Sequence, residues 1–169
     1  LAVYDDMGAR EFDASVTWAD GDTVALDRTL FYPEGGGQPA DAGALHWEGG
    51  EARVTDVRKR GDAVLHTLEG DAPPVGATVR GAVDGARRDS LSQQHTATHV
   101  IGAAARRTLG PHVWQAGARK ATDSARLDIT HHQRLDRAAV ATLEREANRI
   151  VRDDHPVQAE FMTREAADA

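Results

Sequence analysis

The first half of the chain alternates between apolar and polar positions with the two-residue period of a β-strand. In residues 11–18, four apolar side chains fall on one face: Phe12, Ala14, Val16 and Trp18. Residues 19–22 have the composition of a turn and residues 23–26 resume as a strand, which together predict a hairpin. Further strands are predicted near residues 43–47, 51–57, 63–68 and 78–83. Closely spaced short strands without helices between them favour a small barrel or a sandwich.

The second half of the chain changes to the period of a helix near residue 84. Asp89 or Ser90 is predicted to cap a first helix, which a Gly-Pro pair at residues 110–111 ends. The remaining predicted elements are a second amphipathic helix from about residue 135 and strands at residues 124–130 and 157–162.

This change of period predicts an α+β fold with two domains. An N-terminal domain of strands, either a barrel or a sandwich, is expected at residues 1–86 and an α+β domain at residues 87–169. The composition, 40% hydrophobic and 28% charged, is that of a soluble globular protein. The chain has no cysteine, which excludes disulfides, and no membrane-spanning run or signal peptide, so we expect a cytoplasmic location.

The net charge of −7 argues against extensive coating of nucleic acid. Local basic pairs remain candidates for contact with phosphates, namely Arg87, Arg88, Arg119 and Lys120. The alternative is that these cations lie in solvent and offset an acidic surface.

The strongest local signal is the pair His95 and His99, which lies on the first predicted helix. Residues at this spacing share a helix face, so both imidazoles can point at one metal ion. A zinc protease with this histidine spacing would carry its catalytic glutamate at the position of Thr96, so the interpretation as a zinc protease is excluded. Taken alone, such a pair is more often two surface or partly buried histidines than a metal site.

The second signal is the glycine-rich segment of residues 31–39, Phe-Tyr-Pro-Glu-Gly-Gly-Gly-Gln-Pro. Three successive glycines allow positive φ angles and a close approach of backbone to a ligand or another strand. Gln38 adds amide donors and an acceptor beside the glycines. The alternative is a tight turn flanked by prolines.

The two signals in this order resemble the alanyl-tRNA editing family. This family comprises the editing module of alanyl-tRNA synthetases and the free-standing AlaX-type proteins. The likeness lies in residues 26–43, 95–99, 112–117 and 127–131 and in the helix that contains Glu144 and Asn148.

The resemblance implies a small N-terminal β-barrel at residues 1–86, packed on an α+β editing domain at residues 87–169. It also implies that His95 and His99 are ligands of one Zn²⁺ ion. It implies hydrolysis of serine or glycine wrongly esterified to the 3′ end of tRNA(Ala). The substrate pocket that it implies contains Gly35, Gly36, Gly37, Gln38, Thr98 and Gln115.

A polar group at Gln115 would hydrogen-bond the serine hydroxyl and be left unpaired by alanine, although an exposed strand position is equally compatible with this residue. Each zinc-binding imidazole would also need a partner for its second ring nitrogen. The candidates for that role are Gln93, Gln94 and Asp128.

The chain departs from the family in the second half of the metal site. The family completes that site with a Cys-x-x-x-His motif after the second helix, and this chain has no cysteine. His155 matches no ligand position, and the resemblance gives His131 and His132 no metal role. Because two ligands seldom retain zinc, we expect a fragment that binds the ion weakly and hydrolyses little.

Three functions remain open from the sequence. The first is an editing hydrolase fragment, either from a free-standing protein or from a full alanyl-tRNA synthetase. The second is a non-catalytic tRNA-binding or scaffold module, and the third is an unrelated metal-dependent hydrolase. Threonyl-tRNA synthetases share a related histidine motif, but the glycine-rich segment belongs to the alanine branch. Oligomeric state and the preference for serine or glycine stay open.

Overall fold

The computed structural model describes residues 8–156 and 162–167 of the chain. Six antiparallel strands form a closed barrel: β1 (Glu11–Asp20), β2 (Thr23–Leu26), β3 (Gly43–Trp47), β4 (Gly50–Arg60), β5 (Ala63–Glu69) and β6 (Thr78–Val83). Around the barrel they follow the order β1-β2-β5-β4-β3-β6, and β6 pairs back onto β1. The barrel prediction is thereby confirmed, and the sandwich alternative is wrong.

The alternation in β1 directs its apolar side chains inward, with one exception. Phe12, Ala14 and Val16 are buried as predicted. Trp18 is 44% exposed, because the register between β1 and β2 shifts between Val16 and Trp18. Such a bulge re-aims the side chains that follow it, so the prediction of an inward Trp18 is wrong.

Valine and leucine side chains from every strand fill the barrel together with two phenylalanines. Phe31 lies edge-on to Phe12 and to the imidazole of His66. His66 is fully buried, with Nε2 2.9 Å from Thr29 Oγ1 and Nδ1 3.3 Å from Val24 O. Burial disfavours its protonated form and lowers its pKa to about 4.

The remaining elements are α1 (Gly85–Leu109), β7 (Gln115–Lys120), β8 (Ala125–Ile129), α2 (Arg137–Arg152) and α3 (Arg164–Ala167). The side chain of Asp84 caps α1 by accepting a hydrogen bond from Arg87 N at 3.0 Å. The predicted caps Asp89 and Ser90 are therefore wrong and lie inside the helix. Gly110, with φ 118°, ends α1 as predicted.

The β7–β8 hairpin and α2 all pack against α1. Asp136 caps α2, which has no buried residue, and its Val140 and Val151 are 48% and 63% exposed. The strand predicted at residues 157–162 lies outside the described residues, apart from Met162. The change from β6 to α1 falls beside the predicted domain boundary at residue 86, and that boundary stays a prediction.

None of the helices in the described ranges is long and apolar enough to cross a membrane.

Candidate functional site

Helix α1 holds His95 and His99 one turn apart with their rings nearly parallel. The ring centroids are 5.2 Å apart and the planes differ by 19°. His95 is half-buried and His99 is exposed. The shared face expected from the spacing is therefore present. No third histidine, aspartate or glutamate in the described part of the chain joins this pair to make a three-ligand group.

The glycine-rich segment forms a tight turn that docks on strand β7. Gly35 and Gln38 exchange two backbone hydrogen bonds, of 3.1 and 2.9 Å, across Gly36 and Gly37. Both central glycines have positive φ angles, of 58° and 75°. A Cβ on Gly37 would lie 2.1 Å from Ala118 O in β7, so only glycine fits there.

Lys120 fastens the same turn to β7. Its backbone N–H donates to Gly37 O at 2.8 Å, and its Nζ donates to Gly36 O at 2.6 Å. The ammonium group is buried under the turn, and burial lowers its pKa. The barrel loop and the hairpin of the second half thus share a packed contact.

Gln38 connects this turn to the histidine pair. The side chain of Gln38 is buried, and its Oε1 lies 2.7 Å from Nδ1 of His95. A carbonyl oxygen only accepts hydrogen bonds, so Nδ1 carries the proton and Nε2 keeps a free lone pair. This is the tautomer that an imidazole needs to bind a metal through Nε2.

The outer partners predicted from the sequence were Gln93, Gln94 and Asp128. The structure gives His95 a different partner, Gln38, and Asp128 instead pairs with Arg126 at 3.0 Å. Gln38 and His95 are far apart in sequence, and no periodic pattern connects them. The sequence carried only the weaker signal that Gln38 belongs to the glycine-rich motif.

The surroundings of His95 disfavour its protonated form. Its pKa is lowered first by burial, then by the charge of Lys120 and by His99. A neutral imidazole is the form that binds a metal ion, so the lowered pKa lets His95 act as a ligand at a lower pH than an ordinary histidine.

A pocket of about 230 Å³ lies beside the histidine pair. Thr98, His99 and Gln115, three predicted site residues, line it together with Trp114 and Ile129. Thr98 is buried and its Oγ1 donates to His95 O at 2.7 Å, whereas Gln115 is exposed at the rim. Residues 35–38 do not line this pocket. His95 does not line it either. The turn instead lies against His95, whose Cε1 is 3.6 Å from the Cβ position of Gly36.

Two of the four cations predicted to contact tRNA are buried. Arg88 is 2% exposed and donates to both carboxylate oxygens of Asp41 and to Leu30 O. Lys120 is 3% exposed and holds the glycine turn. Neither head group is available to a phosphate, which corrects the prediction for both residues.

Arg87 and Arg119 remain as candidates for phosphate contact. Arg87 is half-buried and donates from Nε and Nη2 to Ala40 O. Arg119 is exposed and lines an open depression of about 380 Å³ together with Arg126. Sequence reasoning misses Arg126, because a single arginine in a strand belongs to no motif.

Comparison with known proteins identifies the family. The family model described as tRNA synthetases class II (A) matches residues 2–87, which is half of the chain. The alanine–tRNA ligase of Methanopyrus kandleri is 55% identical over 172 residues, covering 99% of this chain and 19% of the ligase. The ligases of Natronomonas pharaonis and Pyrobaculum neutrophilum are 53% and 52% identical, each covering 98% of this chain and 19% of the ligase.

The chain therefore spans about a fifth of the length of the relatives it matches. The similarity extends over both the barrel and the part that carries His95 and His99. By these matches the chain belongs to the class II (A) family of tRNA synthetases.

Proposed function

We propose that this chain is the part of an alanyl-tRNA synthetase that removes serine or glycine from mischarged tRNA(Ala). The observation that carries the proposal is the hydrogen bond between Gln38 and His95. It joins the glycine-rich turn and the histidine helix, the two motifs of the editing family, at one atom pair. Two surface histidines without a function would not account for a buried amide that orients one of the imidazoles.

The substrate is an ester between an amino acid and the 3′ end of a tRNA. His95 and His99 would hold a zinc ion through their free ring nitrogens, and Gln38 keeps His95 in the required tautomer. Zinc bound there would lower the pKa of a water molecule towards neutrality or polarise the ester carbonyl. The two imidazoles supply half of a tetrahedral donor set, and the remaining ligands would come from outside the described residues.

The pocket beside His99 would receive the amino acid. At about 230 Å³ it has room for a small side chain such as serine. The amide of Gln115 at its rim would accept or donate a hydrogen bond to the serine hydroxyl. Alanine offers no hydroxyl, so its entry would leave the amide unpaired, and correctly charged tRNA would be spared.

The depression lined by Arg119 and Arg126 would contact tRNA phosphates. Both side chains belong to the β7–β8 hairpin that also carries Gln115. A local positive patch is what a chain with a net charge of −7 needs in order to bind RNA at one place.

The sequence leaves open whether the chain comes from an alanyl-tRNA synthetase or from a free-standing editing protein, and the relatives help to decide between these two origins. Each is an alanine–tRNA ligase about five times longer than this chain. Because each of these relatives is a ligase, they favour a synthetase over a free-standing editing protein as the parent of this chain. A non-catalytic tRNA-binding module remains the alternative, and the experiment below separates the two.

The test uses the longer natural protein that contains this chain. Deacylation of Ser-tRNA(Ala) is measured for the wild type, for His95→Ala and for His46→Ala. Loss of a metal ligand should lower the rate at least about 100-fold. His46 is an exposed barrel residue 3.2 Å from Glu51, so its replacement should leave the rate unchanged.

Equal rates for the wild type and His95→Ala would overturn the catalytic assignment. Binding of tRNA without hydrolysis in any of the three proteins would instead support the non-catalytic module. Thermal unfolding of each variant checks that the fold is intact.

The 169-residue chain alone should hold zinc only weakly at His95 and His99. Calorimetric titration of the wild type and of the double variant His95→Ala/His99→Ala isolates the contribution of this pair. We expect the pair to add no binding event tighter than about 1 µM. A sub-micromolar event present in the wild type and absent from the double variant would contradict this expectation.

A further inference from the structure

Three histidines converge at the open end of the β7–β8 hairpin, outside the pocket described above. His112 precedes β7, and His131 and His132 follow β8. The ring centroids of the three pairs lie 5.1 to 5.5 Å apart. Their ligand nitrogens all lie within 4.8 Å of one another, and no other such group of three occurs in the described ranges. We call these residues the histidine cluster.

The backbone around the cluster is held by hydrogen bonds across the hairpin. Thr130 Oγ1 donates to His112 O at 2.8 Å, and Thr130 N donates to Trp114 O at 2.9 Å. Trp114 N donates back to Thr130 Oγ1 at 2.9 Å. The chain segments that carry the histidines are therefore fixed side by side before any ligand arrives.

Gly110 makes room for the first ring of the cluster. A Cβ at this residue would lie 3.1 Å from Nδ1 of His112. The positive φ of Gly110 ends helix α1 and brings the chain back towards β8. The end of the helix and the placement of the His112 ring thus depend on the same residue.

We propose that His112, His131 and His132 form a second metal site, which takes a divalent transition ion such as Zn²⁺ through three imidazoles. His112 Nε2 and His131 Nδ1 are 2.9 Å apart and point at each other. In a tetrahedral zinc site, Zn–N bonds of about 2.0–2.1 Å place ligand nitrogens roughly 3.3 Å apart. An ion would take the place of the proton between these two nitrogens, and the third ligand nitrogen lies within 4.8 Å of both.

The chemistry of the donors selects the class of metal. All three ligands are imidazoles, which suit Zn²⁺, Co²⁺, Ni²⁺ and Cu²⁺, whereas Mg²⁺ and Ca²⁺ require oxygen ligands. His112 and His132 are exposed and His131 is half-buried, so an ion would keep a position open to water or an outside ligand.

A bound ion would clamp the open end of the hairpin. The cluster joins the residue before β7 to the residues after β8, and Trp114 and Ile129 between them line the pocket beside His99. Metal at the cluster would therefore stiffen one wall of that pocket without contacting the His95–His99 pair.

The site is tested on the 169-residue chain, prepared without a histidine tag. The background is the His95→Ala/His99→Ala variant, so that the other histidine pair cannot contribute. Calorimetry should find one Zn²⁺ per chain in this background. His131→Ala should weaken the affinity at least about tenfold, and His132→Ala should do the same. The exposed His46 and His155 serve as control positions, at which alanine should change nothing.

Cobalt provides a second readout that reports coordination directly. Co²⁺ should develop a visible absorption band in the background variant, and an excess of Zn²⁺ should remove the band while an excess of Mg²⁺ should not. No zinc binding in the background, or binding that persists in both His131→Ala and His132→Ala, would overturn the proposal. Because the background lacks the proposed editing ligands, the outcome is independent of the proposed function.

Discussion

Gly37 packs directly against strand β7 and leaves no room for a side chain. Its φ is 75°, and an added methyl group would lie 2.1 Å from the carbonyl oxygen of Ala118. We expect Gly37→Ala to push the turn off β7 and to lower the free energy of unfolding by about 2 kcal/mol. Chemical denaturation measures this loss.

The matched control for Gly37 is Gly61→Ala. Gly61 has a φ of 59° in a barrel hairpin, with nothing within 4 Å of its Cβ position. That variant carries the strain of a positive φ without the steric clash. Equal losses of stability in the two variants would mean that the close approach to β7 contributes nothing.

Gln38 permits a test of its role in orienting His95. Gln38→Leu removes the acceptor, so deacylation by the longer protein should fall about 10-fold or more. Gln38→Glu keeps an acceptor and should restore much of the rate. Its carboxylate would also stabilise the imidazolium, so the pKa of His95 should rise, where it is lowered in the wild type.

Activity of Gln38→Glu should therefore be lost at a higher pH than activity of the wild type as the solution is acidified. NMR titration of His95 and a pH–rate profile give the two measurements. A leucine variant as active as the wild type would refute the positioning role.

At the residue scale, the sequence predicts local backbone angles but not contacts between distant parts of the chain. Three consecutive glycines predict positive φ angles, which Gly36 and Gly37 have. The oxygen atom that excludes a larger residue at Gly37 belongs to a strand in the other half of the chain. No local pattern contains that contact, and the same is true of the hydrogen bond that His95 Nδ1 donates to Gln38 Oε1.

The buried ion pair of Asp41 and Arg88 fastens helix α1 to the loop between β2 and β3. Both side chains are at most 3% exposed. Arg88→Met leaves the carboxylate buried without its cation, so we expect a loss of about 3–5 kcal/mol in the free energy of unfolding. The neighbouring Arg87→Met should lose only about 1 kcal/mol, because Arg87 donates to a single carbonyl oxygen.

A double-mutant cycle with Asp41→Asn isolates the interaction. Because the second substitution removes the stranded charge, the double variant should be more stable than the sum of the two single losses implies. Strict additivity, measured by urea unfolding, would show that the two side chains do not interact.

At the scale of elements, the hydrophobic period along the sequence predicted the strands better than the candidate capping residues predicted the start of helix α1. Alternation located the strands because each has one buried face. It failed at Trp18, where a bulge changes the face that a side chain occupies. Asp89 and Ser90 have the composition of caps, but Asp84 stands where the chain leaves β6, and the connection decides where the helix begins.

The fold as a whole should depend on pH through His66, which is neutral in the barrel. Its pKa is about 4 when folded and 6.5 as the ordinary value. Above pH 6.5 both the folded and the unfolded forms are neutral, and the full stability is present. As the pH falls from 6.5 to about 4, only the unfolded form gains a proton, so the protein loses up to about 3 kcal/mol.

The His66→Gln variant isolates this contribution. Carboxylates titrate in the same range, but they affect both proteins equally and cancel in the difference. The free energy of unfolding of the wild type, relative to that of the variant, should fall as the pH is lowered through this window. Parallel stability curves for the two proteins would contradict a buried neutral histidine.

At the scale of the molecule, the α+β class and the succession of short strands could be predicted because periodicity is a local property that the fold preserves. Periodicity left both a barrel and a sandwich open, and the family resemblance favoured the barrel. Whether a given cation is buried or exposed could not be predicted from the sequence. Arg88 and Lys120 read as surface charges, and only their partners, Asp41 and the oxygen of Gly36, show that they are interior. The histidine cluster was missed for the same reason, since His112 meets His131 only after the hairpin forms.

The hydrogen bond from Lys120 N to Gly37 O also bears on aggregation. The barrel is closed and exposes no strand edge, whereas β7 pairs only with β8 in the described ranges. An unpaired strand edge invites a strand from another molecule. The glycine turn occupies one amide on that edge, so the loop that holds His95 through Gln38 also protects β7 from pairing with a strand of another molecule.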